Sequence, residues 1–216
     1  MQLYTFENLV AITIEYERTV FATSLTLIFC YSAILLRTFL GSKYRWLIWL
    51  TLMLIVSNIC SILSNTFANQ WMNKDPSLHK KSIIAEACTM LVRDALFNLA
   101  HWLFCYKYWI IAYEVHMLLQ NQQISVRLSY CIRALNVAMI LLDILLPLGY
   151  VCTFYILNLD YENQQAGETI PPPKWLVTLY LFCNYSKGML LVVAATFLFD
   201  ALRRFKAVLK ICDFNE

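Results

Sequence analysis

Four ionisable side chains stand inside long apolar runs: His101, Lys107, Asp143 and Lys187. A charge at the centre of a membrane helix costs about 2.5–3.5 kcal/mol on insertion scales. Such residues therefore face other helices or a water-filled cavity. At a rise of about 1.5 Å per residue, Lys107 and Asp143 lie about 13 Å from the same membrane surface, with Lys187 about one turn higher. A Lys107–Asp143 or Lys187–Asp143 ion pair is geometrically reasonable. One carboxylate near two amines and an imidazole can relay protons, bind an ion or hold a polar ligand. The same residue types can also serve only to join helices, each hydrogen bond giving about 0.6 kcal/mol.

A polar stripe adds to this set. Asp94, Asn98, His101, Cys105 and Tyr108 recur at steps of four, three, four and three, which keeps them on one helical face. Lys107 and Glu114 fall on another face. Asn58 and Asn98, together with Asn65, Asn136 and Asn184, extend the candidate polar interior. Pro147 should bend its helix and free the carbonyl of Asp143 one turn earlier. Gly188, beside Lys187, allows close helix approach or local bending.

Other chemistries lack their residues. The three histidines, His79, His101 and His116, have no metal-ligand spacing, and no H-E-x-x-H occurs. There is no nucleophile elbow and no phosphate-binding glycine loop. No cofactor and no enzymatic activity are expected. The eight cysteines contain no C-x-x-C pair and fall in or beside apolar runs. They read as small packing residues, and a Cys88–Cys152 bridge is the one disulfide the layout suggests. Asn184-Tyr185-Ser186 matches a glycosylation acceptor but lies inside an apolar run.

The elements that must position these residues follow from composition. Of 216 residues, 60% are hydrophobic and 14% charged, with a mean hydropathy of +0.58. Soluble domains are about 45–50% apolar and about 25% charged. A small globule cannot hide several apolar runs of about 20 residues, so lipid is the expected solvent. The net charge of +3 sits at the ends of apolar runs and forms no basic face, which excludes nucleic acid as a partner. Five spans are expected, at about 19–40, 46–71, 90–113, 134–159 and 175–199. Trp46, Trp49, Trp109, Tyr113 and Trp175 stand near their ends, where amphipathic rings prefer headgroup depth.

Residues 1–18 hold Glu7, Glu15 and Glu17 and no basic n-region, so no cleavable signal is expected. The connections read as a basic turn at Gly41–Arg45, a longer segment over 68–89, a polar break at Gln120–Gln123, and an acidic segment ending in Pro171-Pro172-Pro173. Orientation follows the basic residues. With the N-terminus outside, the inner side holds Arg37, Lys43, Arg45, Arg127, Arg133, Arg203, Arg204, Lys206 and Lys210. The outer side holds Arg18, Lys74, Lys80, Lys81 and Lys174. The expected topology is N-out, C-in.

Residues 200–216 form a basic amphipathic tail. Leu202, Phe205, Leu209 and Cys212 recur at helical steps, with Arg203, Arg204, Lys206 and Lys210 around them. Such a juxtamembrane helix would lie on the inner leaflet, with Cys212 open to palmitoylation. The layout resembles the first five spans of a seven-helix receptor, which would imply two further spans beyond residue 216. Where the rhodopsin-like class carries an acidic-Arg-aromatic triplet, this chain reads Ala112-Tyr113-Glu114-Val115-His116. The reading is an all-α, polytopic transmembrane bundle of about five spans. Its role is expected to be binding, receptor-like or scaffolding, and the alternative is a transporter or channel subunit. Its partners would be the bilayer and a membrane protein or a second copy.

Overall fold

In hydrocarbon every backbone N–H and C=O must be satisfied within the chain, and a single segment achieves this as a helix. The chain follows that rule. The structure, a computed structural model, describes residues 6–41, 45–72, 76–120, 126–165 and 173–213. These form five helices: α1 (Phe6–Gly41), α2 (Arg45–Met72), α3 (Pro76–Leu119), α4 (Val126–Gln165) and α5 (Lys174–Asp213). No strand occurs among the described residues.

Local chemistry marks the helix ends. Pro76 opens α3, where its missing N–H is no loss. The carbonyl of Pro173 accepts from the Leu176 and Val177 amides at 2.9 and 3.4 Å and starts α5. α3 ends at Leu119, just before the expected polar break, of which residues 121–123 lie outside the described residues.

Four helices are long and apolar enough to cross a membrane: Arg18–Arg37, Arg45–Ala68, Val126–Leu157 and Lys174–Leu209. The third expected span, within α3, falls short of that standard. Arg93, Asp94, Asn98, His101 and Lys107 interrupt its apolar run. Two segments expected to be connections are helical instead. Residues 76–89 belong to α3, and 160–165 continue α4. The tail through Asp213 is helical, but it continues α5 without a break. At about 1.5 Å per residue, α3, α4 and α5 are about 60–66 Å long, twice the hydrocarbon thickness of about 30 Å.

The chain packs as two compact units. One comprises Met1–Phe97 and Phe154–Pro172, the other Asn98–Thr153 and Pro173–Glu216. In the first, α1 packs on α2 with Ser24 buried, while Phe29 is 68% exposed. The Ser57 hydroxyl donates to the Arg93 carbonyl at 2.9 Å and links α2 to α3. In the second unit, Trp102 and Cys105 of α3, Met139 of α4, and Leu190 and Ala194 of α5 form the core. Ala100, Ala112 and Ala201 are also fully buried there. Small residues let helices approach closely, which matters where lipid supplies no hydrophobic drive for association.

Many polar side chains in the apolar helices bond to their own backbone. Thr51, Thr66 and Thr153 donate to the carbonyls of Leu47, Ile62 and Gly149 at 2.8–3.0 Å. Such back-bonding satisfies a hydroxyl in an apolar run without a partner helix.

The two interior glycines differ. A Cβ on Gly149 would stand 3.0 Å from the Sγ of buried Cys183, whereas one on Gly188 would meet nothing within 4 Å. Gly188 therefore does not provide a close helix approach. Gly188→Ala should stabilise the protein by about 0.5–1 kcal/mol through helix propensity. In Gly149→Ala, overpacking of about 1–3 kcal/mol should outweigh that gain. Denaturant titration in micelles, followed by circular dichroism, reads both signs.

Candidate functional site

Most of the candidate residues lie in the second unit, along the facing stretches of α3, α4 and α5. Residues at steps of four, three and four put Trp102, Tyr106, Trp109 and Tyr113 on one face of α3. Trp102 stacks on Tyr106 with centroids 5.5 Å apart, and Trp109 stacks on Tyr113 at the same distance. Phe197 of α5 meets Trp102 and Trp109 edge-on, at 5.3 and 5.1 Å.

Each indole also makes a polar bond across helices. The Trp102 N–H donates to Asn136 Oδ1 of α4 at 2.9 Å. The Trp109 N–H donates to Asp200 Oδ2 of α5 at 2.9 Å. Arg204, one turn further on, donates its Nε–H to the same Asp200 oxygen at 2.7 Å. Its guanidinium also lies 5.1 Å from the centroid of the Tyr113 ring. Of the tail residues expected to face lipid, Arg204 is thus turned inward by the carboxylate four residues before it. Arg203 and Lys206 are exposed, while the side chains of Lys210 and Cys212 lie outside the described residues.

The midplane set is divided. Asp143 is 1% exposed, and its Oδ2 has no hydrogen-bond partner among the described residues. Buried Pro147 stands one turn further along α4 and has no N–H for the Asp143 carbonyl. Neither expected ion pair to Asp143 forms. Lys107 is exposed. The half-buried Lys187 places its Nζ 3.4 Å from the centroid of the Tyr150 ring. Tyr150 stacks on Tyr180 at 4.9 Å, and their hydroxyls share a 3.1 Å hydrogen bond. The direction of a helical side chain explains the choice. Long side chains lean toward the helix N-terminus, which carries the Lys187 amine toward Tyr180, and Tyr180 stacks on Tyr150.

The polar stripe of α3 is graded. Asn98 and Cys105 are buried, Asp94 and His101 half-buried, and Tyr108 exposed. Asn98 is buried with its Nδ2 unpartnered. Asn58 belongs to the first unit, where its amide donates to the Leu54 carbonyl of its own helix at 2.8 Å. Cys88 and Cys152 are both free thiols. No group of three or more His, Cys, Asp or Glu side chains could hold a metal among the described residues.

Two cavities lie at the end of this unit where α3 finishes and α4 begins. One, of about 160 Å³, is walled by Tyr106, Ile110, Tyr113 and Glu114 from α3 and by Ser129, Ile132 and Arg133 from α4. The other, of about 310 Å³, is lined by Val126, Ser129, Tyr130 and Arg133. None of His101, Lys107, Asp143 or Lys187 lines either one. Of these tyrosines, the sequence marks Tyr113 only as part of an interface belt. The signal that could have found the site is the four-three-four spacing of the aromatic residues on α3, with Arg133 two turns into the facing helix.

A buried polar atom without a partner costs about 1–3 kcal/mol. Asp143→Leu removes that cost at similar volume and should raise unfolding free energy by about 1 kcal/mol. Asn136→Ala and Trp102→Phe should couple by about 0.6 kcal/mol in a double-mutant cycle, with about 1.7 kcal/mol as the ceiling. Unfolding titrations in micelles measure both.

No family model, no curated protein and no solved structure matches this chain.

Proposed function

We propose that this chain is a multi-pass integral membrane protein that acts by binding, in a receptor-like or scaffolding role, without catalysis. One observation carries the reading. The interior polar groups of the second unit are largely bonded to each other, as in Trp102–Asn136, Trp109–Asp200–Arg204 and Lys187–Tyr150–Tyr180. Side chains joined in this way hold helices together. The cavities lie elsewhere, at the unit's end.

An N-out, C-in arrangement needs α3 to be a fifth crossing. Its low hydropathy does not forbid this, because its indoles bond to α4 and α5 rather than to lipid. The exposed apolar faces, with Phe199 72% exposed, suit lipid and also a membrane-protein partner or a second copy.

A transporter or channel subunit is the second reading, and the buried, unpartnered Oδ2 of Asp143 favours it. Single cysteines at 101, 107, 143 and 187, in a cysteine-free background in liposomes, separate the two. The binding reading expects positions 143 and 187 to resist a charged thiol reagent while the protein stays folded. Rapid labelling of both would establish a hydrated route and replace this reading with transport.

A further inference from the structure

The two cavities at the α3–α4 end share Ser129 and Arg133, so they adjoin along α4. We propose that together they bind the headgroup of a zwitterionic phospholipid, its phosphate held by Arg133 and Ser129 and its ammonium by Glu114. This rests on the binding reading above and names the ligand class of that reading.

Glu114 and Arg133 wall the same cavity of about 160 Å³ from opposite helices, and no ion pair joins them. Opposite charges held apart across a small space suit a ligand that is itself dipolar. The arginine fork matches phosphate oxygens, and a serine hydroxyl adds a donor. At the other end, the Glu114 carboxylate suits an ammonium, and the Tyr106 ring lines that same cavity and can face a quaternary nitrogen.

Size and place agree. Small-molecule sites run from about 300 to 1,000 Å³, and the larger cavity, at about 310 Å³, sits at the headgroup-sized end of that range. Val126 and Tyr130, which line only the adjoining cavity, supply an apolar wall for the glycerol end. The cavities lie at one end of the apolar stretch of α4, which is where headgroups are found. A free phosphate or a purely anionic headgroup can pair with Arg133 but leaves the Glu114 carboxylate without a cation.

Native mass spectrometry of the full chain in detergent tests the site, with dihexanoylphosphatidylcholine and dihexanoylphosphatidylglycerol as probes. The expected result is one phosphatidylcholine per chain, bound in preference to phosphatidylglycerol. Arg133→Gln should weaken it about tenfold, and Glu114→Gln should erase the preference. Arg203→Gln, outside the cavity walls, should change neither. Equal binding of both lipids by the unaltered chain, unchanged binding in Arg133→Gln, or displacement by inorganic phosphate at matching concentration would each overturn the proposal. Both side chains are exposed, so the variants should fold. Arg133→Lys keeps the charge and should recover part of the binding; no recovery with a native circular dichroism spectrum also counts against the site. Failure here with positions 143 and 187 still protected removes the headgroup site alone. Labelling of those positions removes the reading beneath it.

Discussion

Two indole N–H groups, on Trp102 and Trp109, fix how α3 meets its neighbours in the second unit, and much of that unit follows from them. Lipid gives no hydrophobic gain for bringing one apolar helix against another. Register must then come from shape and from polar atoms that have no other partner. Asn136 can receive Trp102, and Asp200 can receive Trp109, in only one alignment of the three helices. Phe197, one turn before Asp200 on α5, is then brought edge-on to both indoles. Asp200, once placed, draws Arg204 inward onto the Tyr113 ring. A charge that the amphipathic pattern assigns to lipid is in this way absorbed by the bundle.

The same logic makes Asp143 stand out. Its neighbours in the apolar helices show how a polar group is normally quieted, either by a carbonyl of its own helix or by a side chain across the interface. Asp143 Oδ2 has neither, and Pro147 leaves the carbonyl of the same residue without its helical donor. Two acceptors in one turn are thus under-satisfied inside a well-packed unit. Lys187, which sequence depth places near it, is held by an aromatic face instead. The competition is understandable, because a cation over a tyrosine ring keeps its charge stabilised without requiring a second desolvated charge beside it.

Helix existence was legible in the sequence, since long apolar runs in lipid have no other way to satisfy their backbone. Helix length was not. Hydropathy reports the solvent around a segment and says nothing about whether polar residues carry the helix onward. Residues 76–89 and 160–165 continue as helix for that reason. For the site, depth and spacing identified Asn98 and Asp143 as buried, because period and position along one helix are local properties. They failed for Lys107, whose face on α3 is turned away from the packed interior. They also missed the aromatic ladder as a joining device, since Trp109 and Asp200 lie 91 residues apart and only packing brings them together.

These relations bear on how α3 could cross a bilayer at all. Taken alone it is the least suited helix, broken by Asn98, His101 and Lys107. A transfer scale scores each residue against lipid. The relevant surroundings for Trp102, Cys105 and Trp109 are α4 and α5 instead, and there the polar atoms of both indoles are bonded. On the five-crossing reading, α3 is stable in the membrane only together with the helices that follow it in sequence. Its insertion then depends on α4 and α5 already being present, while Glu114 and Arg133 line a cavity at the end of the unit.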